Sequence, residues 1–249
     1  MYSPKFNQVT DRAILIEAMR AYSFAILFGP QSTLDAPAPL VATHLPLVVK
    51  DEGEHGLIEA MQAYSFAILF GPQSSAEADA PLVATHLPLV VKDEGPHGLI
   101  EGHFAMANRH WRSLAGRETL VVFPGPHSYV SPANYVEVLS VPTWNYVAVH
   151  AYGTLQLVED DPGKQALLAG LIQANEPAFA EQWRAMPAGF QRSMLAGIVG
   201  FRISISRIEG KFKISQNRSP QERVNVQAAH AAGTPDQQAL AAWMARLIG

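Results

Sequence analysis

The 249-residue sequence has no cysteine, which excludes disulfides, iron–sulfur clusters and thiolate zinc sites. Charge is scarce as well, at 16% of residues against 48% hydrophobic, a balance that favours a packed core over disorder. No apolar run reaches the roughly 20 residues needed to cross a bilayer. The longest, such as PLVATHLPLVV, are broken by His and Pro. The opening MYSPKFNQVTD lacks a basic start followed by an apolar stretch, so no signal peptide and a cytoplasmic location are expected. The phosphate cradles G-x-G-x-x-G and G-K-[ST] are missing, as is the G-x-S-x-G elbow. His103 and His110 stand seven apart, a spacing that fits no tight metal motif. Hydrolase and metal chemistry are therefore not expected, and no metal ligands are assigned.

Positive charge is also thin. The net charge is −4, and one stretch, FRISISRIEGKFKISQNR (201–218), concentrates basic residues. A duplex-DNA reader normally carries a basic face that displaces counterions, so DNA remains a conceivable partner that the charge does not support. The bland reading of 201–218 is a solvated strand pair with alternating faces.

What is present alternates between strand and helix patterns. Asp11 reads as an N-cap before the helical RAILIEAMRAY, and SFAILF as a buried strand stopped by Gly29-Pro30. PLVATHLPLVV reads as a further strand. Beyond the repeat of this unit come the strands GLIEGHF and TLVVFPG, with helical ANRHWRSLAG between them. The long alternating NYVAVHAYGTLQLV (145–158) follows. Three helical stretches lead to FRISISRI and KFKIS, read as two strands joined at Glu209-Gly210, and TPDQQALAAWMARLIG reads as a capped terminal helix. Many strands with few helical crossovers predict a mainly β fold with α elements, a closed antiparallel barrel with peripheral helices and a C-terminal helix. One domain over 1–249, with a C-terminal helical and strand extension, is expected.

Residues 15–56 and 57–98 align without a gap and differ at six positions: Arg20/Gln62, Thr33/Ser75, Leu34/Ala76, Asp35/Glu77, Pro37/Asp79 and Glu54/Pro96. The string LIE returns a third time at Leu99, as an in-frame tandem duplication primed on that string would leave it. A barrel of fixed strand number has room for one copy. The second copy runs directly into GLIEGHFAMAN, so it is expected in the barrel. Thr85 and His86 would then be used and Thr43 and His44 not, with the surplus hairpin packed on an edge or swapped into a partner.

The ordered segments MYSP, ATHLPL, GHFAMAN, GPHSYVSP, VPTWNYVAVHAYG and EGKFKISQNR resemble the PaiB family of FMN-binding, split-barrel negative transcriptional regulators. Three departures are visible: Met106 with Asn108-Arg109 after the HFA segment, Ala133-Asn134-Tyr135 after Ser-Pro, and the doubled first unit. The resemblance implies a split barrel that forms a homodimer, with one FMN at each end of the interface. A flavin needs an apolar wall, donors along its ring edge, and cations or amides for its phosphate. The resemblance implies that the phosphate is held by the second strand and the turn after the third, here VATHL and HFAMANR, which makes Thr85, His86, His103, Asn108 and Arg109 candidates for the phosphate side. His127, Tyr129, Trp144 and Asn145 are candidates for the ring wall and edge, with core packing the competing role for Trp144. Lys213, Ser215 and Gln216, with Lys211, Asn217 and Arg218 around them, would complete the site. Two functions follow: a flavin-binding repressor, or a flavin-dependent oxidoreductase taking electrons from NAD(P)H for a small molecule. No residue is identifiable as a catalytic acid or base.

Overall fold

A computed structural model describes residues 27–30, 40–43, 53–72 and 82–248. The chain divides into two compact units, Ser3–Val48 and Met1–Tyr2 with Val49–Gly249. In the smaller unit β1 (Leu27–Pro30) and β2 (Leu40–Thr43) form an antiparallel pair. The expected helix from Asp11, and His44, lie outside the described residues.

The larger unit is built on seven strands: β3 (Phe66–Pro72), β4 (Leu82–Pro88), β5 (Val90–Lys92), β6 (Leu99–Ala105), β7 (Glu118–Val130), β8 (Thr143–Val158) and β9 (Ile198–Lys213). They pair antiparallel in the order β4-β3-β7-β8-β9-β6-β5. The sheet curls until β4 comes beside β6, which makes a split barrel. Alternate residues fill the interior. Leu69, Ile100, Phe104, Val121, Phe201 and Ile203 are all fully buried there, each contributing about 1.5–3 kcal/mol by removal from water. β7 and β8 are buried on their other face as well, through Leu120, Val122, Tyr146 and Ala148. That is why both read as near-continuous apolar runs rather than clean alternations.

Helices α1 (Gly53–Ala63) and α7 (Pro235–Ile248) bring Met61, Leu240 and Met244 into the same core. Thr234 starts α7 with a reciprocal cap, its backbone N–H donating to Gln237 and its hydroxyl accepting from the Gln237 N–H. Between β6 and β7 lies the short α2 (His110–Leu114). Three helices, α3 (Asp161–Asn175), α4 (Phe179–Ala185) and α5 (Ala188–Ala196), separate β8 from β9, and α6 (Pro220–Ala231) precedes α7. Ser219 and Glu222 form a capping box at the start of α6.

The expected turn at Glu209-Gly210 does not occur. β9 runs unbroken through both residues, with Gly210 opposite Val149. Glycine is there for closeness: a Cβ at Gly210 would lie 2.1 Å from Leu57 Cδ2 of α1. Gly153 is tighter in a different way, since a Cβ there would meet the Ser204 backbone oxygen at 2.3 Å, where β8 and β9 shift register. Gly153→Ala is expected to destabilise by about 1–3 kcal/mol, as overpacking does, and to lower the thermal midpoint by several degrees. An unchanged melt would mean the strands separate there at no cost.

The string HGLIE occurs twice with different outcomes. At 55–59 it is helical, inside α1, whereas at 97–101 it is a turn that opens into β6. The first is followed by the helix formers Ala60, Met61, Gln62 and Ala63. The second is preceded by Pro96, bends at Gly98 (φ 99°) and continues into Gly102. Both burials are complete: Ile58 and Ile100 enter the core. Glu59 pairs with Arg246, and Glu101 with Lys92 (2.9 Å) and Arg202 (2.7 Å).

Candidate cofactor site

The proposed residues fall into two groups, and a third set joins neither. The first group forms where β6 turns into α2. Asn108 donates from Nδ2 to Thr85 Oγ1 (3.4 Å), Thr85 Oγ1 lies 2.9 Å from His110 Nδ1, and the His110 N–H donates to Asn108 Oδ1 (3.2 Å). All three are buried, and Phe104 closes the His110 ring edge-on at 6.4 Å. Burial pushes the His110 imidazole down to about 4, opposed in part by the Gly71 backbone that faces the ring. The imidazole is thus neutral at pH 7, and one hydrogen bond joins its Nδ1 to the Thr85 hydroxyl. Because Thr85 is bonded to both His110 and Asn108 within the protein, this triad works as a framework for the loop.

His110 was not among the residues expected at a site. Its partners lie 25 and 2 residues away, a spacing that no sequence motif marks.

His86 does not join Thr85, because successive strand residues face opposite ways. It is exposed and stacks on Phe66 at 6.0 Å, while burial of its inner part lowers its pKa. His103 stands opposite Gly200 on β6, its Nδ1 buried without a partner and its pKa lowered by burial. Arg109 is exposed at the start of α2 and caps nothing with its side chain.

The second group gathers the far ends of β7, β8 and β9. Asn145 and Ser215 exchange two bonds, Nδ2 to Oγ at 3.0 Å and Oγ to Oδ1 at 3.2 Å, with Asn145 fully buried. Ser215 sits at φ 67°, the left-handed region, so this double bond holds a turn that the backbone alone would resist. Gln216 folds back to the strand end, donating to the Phe212 carbonyl and accepting from the Ile214 N–H (2.9 Å). Lys213 Nζ donates to Thr143 Oγ1 (2.6 Å) and to the Trp144 carbonyl. Burial lowers the Lys213 pKa, and the positive charges of Arg218 and Lys211 lower it further. Lys211 and Lys213 share a face of β9, and Arg218 follows on the turn beyond it.

Beside them stands an aromatic wall. Trp144 lies 5.6 Å from His127 and 6.4 Å, edge-on, from Tyr129, which is 49% exposed. Burial lowers the His127 pKa, and Asp236 opposes that. Arg218 lies over the Tyr135 ring at 3.7 Å.

Glu222 fixes the loop above this wall. Its carboxylate accepts N–H bonds from Val136 (3.1 Å), Glu137 (3.4 Å) and Ser219 (3.2 Å). Burial would raise its pKa, and these bonds outweigh that and lower it. Past the anchor the loop exposes Val138 and Leu139 almost wholly, at 93% and 91%. Thr85 shares its row with Ala151 through Leu69 and Val121. Asn145 is six residues along β8 from Ala151, which sets the two groups about 20 Å apart along the strand direction.

A split barrel whose strand ends pair an aromatic wall with clustered cations is a fold and surface suited to a planar, anionic cofactor. The profile of the family described as "Putative FMN-binding domain" matches residues 1–60 and 52–207, and the chain belongs to that family. The two matched stretches overlap at residues 52–60, where the first copy of the repeat gives way to the second. The "Protease synthase and sporulation protein PAI 2" of Bacillus subtilis is 38% identical over 231 residues, covering 91% of this chain and 87% of that protein. An uncharacterized protein of Emericella nidulans is 31% identical over 126 residues, 44% of this chain and 50% of its own. Among solved structures, the flavocytochrome Anf3 of Azotobacter vinelandii is 16% identical, over 63% of this chain and 66% of that one, with TM-score 0.48. The conserved hypothetical protein Rv2991 of Mycobacterium tuberculosis is 12% identical, over 67% and 87%, with TM-score 0.47.

Proposed function

We propose that this PaiB-type protein holds FMN at the ends of β7, β8 and β9 and acts as a homodimeric negative regulator of transcription in the cytoplasm. The observation that carries the cofactor placement is the cluster of Lys211, Lys213 and Arg218 beside Trp144. Clustered, half-buried cations gain from an anion placed between them, and the FMN phosphate supplies one. Trp144, Tyr129 and His127 would wall the ring, and the Asn145–Ser215 pair would hold the turn that carries Lys213 and Gln216. Thr85, Asn108 and His110 would act one step away by fixing the β6–α2 loop. When bound, FMN supplies a two-electron acceptor.

Regulation rests on kinship with the PaiB group. The net charge of −4 favours the second reading, an FMN-dependent oxidoreductase using NAD(P)H, because a duplex reader would ordinarily be basic.

Equilibrium dialysis with FMN tests the placement. Lys213→Ala is expected to weaken binding at least tenfold, roughly 1.4 kcal/mol, while Arg109→Ala leaves it within about twofold. Equal affinity in the Lys213 variant would move the phosphate elsewhere. NAD(P)H oxidation by the purified flavoprotein, set against a gel shift on its own promoter, separates the two functions. Light scattering that gave a stable monomer at micromolar concentration would remove the dimer.

A further inference from the structure

The two copies of the repeat are identical in sequence wherever the second copy forms strand: 66–72 matches 24–30, 82–88 matches 40–46, and 90–92 matches 48–50. The hairpin of the smaller unit also has the register of the one in the barrel. Leu27 stands opposite Thr43 as Leu69 stands opposite Thr85, and Pro30 opposite Leu40 as Pro72 opposite Leu82. We propose that the two hairpins compete for one place beside β7. In a minority of chains residues 27–43 then complete the sheet, and Thr43 stands where Thr85 otherwise meets Asn108 and His110. The exchange does not depend on flavin binding.

β7 has no means of telling the copies apart. It holds β3 through three paired residues, Ile68, Phe70 and Leu69 against Val122, Leu120 and Val121, and their counterparts are Ile26, Phe28 and Leu27. One contact differs. Gln62 donates from Nε2 to the Val91 carbonyl (2.9 Å), and its counterpart Arg20 keeps a donor of similar reach.

The balance is set by the connections. Asp93–Gly98 now joins β5 to β6 with six residues. With the first copy in place the join would be residues 51–98, eight times longer. Loop closure then disfavours that state by about 20-fold. Helix starts act the other way. α1 contains Gly53 and Gly56, whereas Arg12–Ala21 has no glycine and follows Asp11. An interior glycine weighs about fivefold against a helix, so the first copy is expected in the barrel in roughly 5–20% of chains. Tethering in one chain gives an effective concentration in the millimolar range, so exchange occurs within a chain before it occurs between chains at micromolar concentration.

The absence of cysteine makes a trap readable. Residues opposite one another on antiparallel strands lie within disulfide reach. Two full-length variants are oxidised at micromolar concentration and mapped by peptide mass: Phe70→Cys with Leu120→Cys, and Phe28→Cys with Leu120→Cys. The 70–120 disulfide is expected to form readily. The 28–120 disulfide is expected to form within single chains, about 5- to 20-fold more slowly. No 28–120 disulfide, or one found only between chains, overturns the proposal. Should the cysteine variants fail to fold, deletion decides. A chain lacking 57–98 is expected to fold and to melt within a few degrees of one lacking 15–56. If it is unfolded while the other folds, the hairpins are not interchangeable.

Discussion

Urea titrations are expected to show the protein losing roughly 3 kcal/mol for each of two histidines as the pH falls from 6.5 to 4. His110 and His150 are both pushed down to about 4, by burial first; for His150 the nearby charges of Lys211 and Arg207 add to it. A base whose folded pKa lies below its unfolded value of 6.5 binds fewer protons folded than unfolded within that window. Stability is therefore complete above pH 6.5 and falls as the pH drops toward 4. Carboxylates leave this window largely alone. Glu101 and Glu222 are held below the ordinary carboxylate range, Glu101 by Lys92 and Arg202 against the opposing effect of burial, so their contribution is lost at lower pH. Replacing His110 with Asn, or His150 with Gln, should each remove roughly 3 kcal/mol from the limb, whatever it does to stability at pH 8, and leave the remainder contributed by His86, His103, His127 and His230, whose pKa values burial also lowers. A stability curve that stayed level from pH 6.5 to 4 would contradict the burial of neutral imidazoles at both places.

Asn145→Ala is the substitution expected to cost most at the site, about 2–4 kcal/mol. It removes both bonds to Ser215, leaves the Ser215 hydroxyl buried without a partner, and opens a cavity where Asn145 was fully enclosed. Ser215→Gly should cost less than Ser215→Ala, since glycine suits φ 67°, although both leave the buried Asn145 amide without its Ser215 partner. In a double-mutant cycle the pair should be strongly non-additive. FMN affinity should follow, because the Asn145–Ser215 pair holds the turn behind Lys213. If Asn145→Ala melts like the parent, that turn is held by something else.

Most of the fold was legible along the chain. GLIEGHF, TLVVFPG and NYVAVHAYGTLQLV each became a strand, and the terminal helix begins at the expected cap. The misreadings have physical causes. Glu209-Gly210 looks like a turn when only its own residues are considered. The glycine is there because Leu57, far away in sequence, packs on its backbone, and no local rule shows that. Thr85 and His86 are neighbours on one strand, so parity sends one inward and the other outward, a signal present in the sequence itself. The Ser219–Glu222 capping box is equally readable from its S-x-x-E spacing. His110 is different: its role arises from Thr85 meeting it across the barrel, which only the closed sheet brings about.

The string that is helix at 55–59 and strand at 97–101 bears on how such a gene could lengthen without ruin. A block copied in tandem would keep its interior neighbours, so its strands would find the same pairings. What changes is each junction, where the tail of one block meets the head of the next. At the first junction Leu57-Ile58-Glu59 is followed by Ala-Met-Gln and coils. At the second, Leu99-Ile100-Glu101 is followed by Gly-His-Phe and extends. Both conformations send the isoleucine inward and the glutamate to a cation. A junction made of residues tolerant of either conformation is one where an insertion of this kind can survive its first generation, before selection has had any opportunity to repair it.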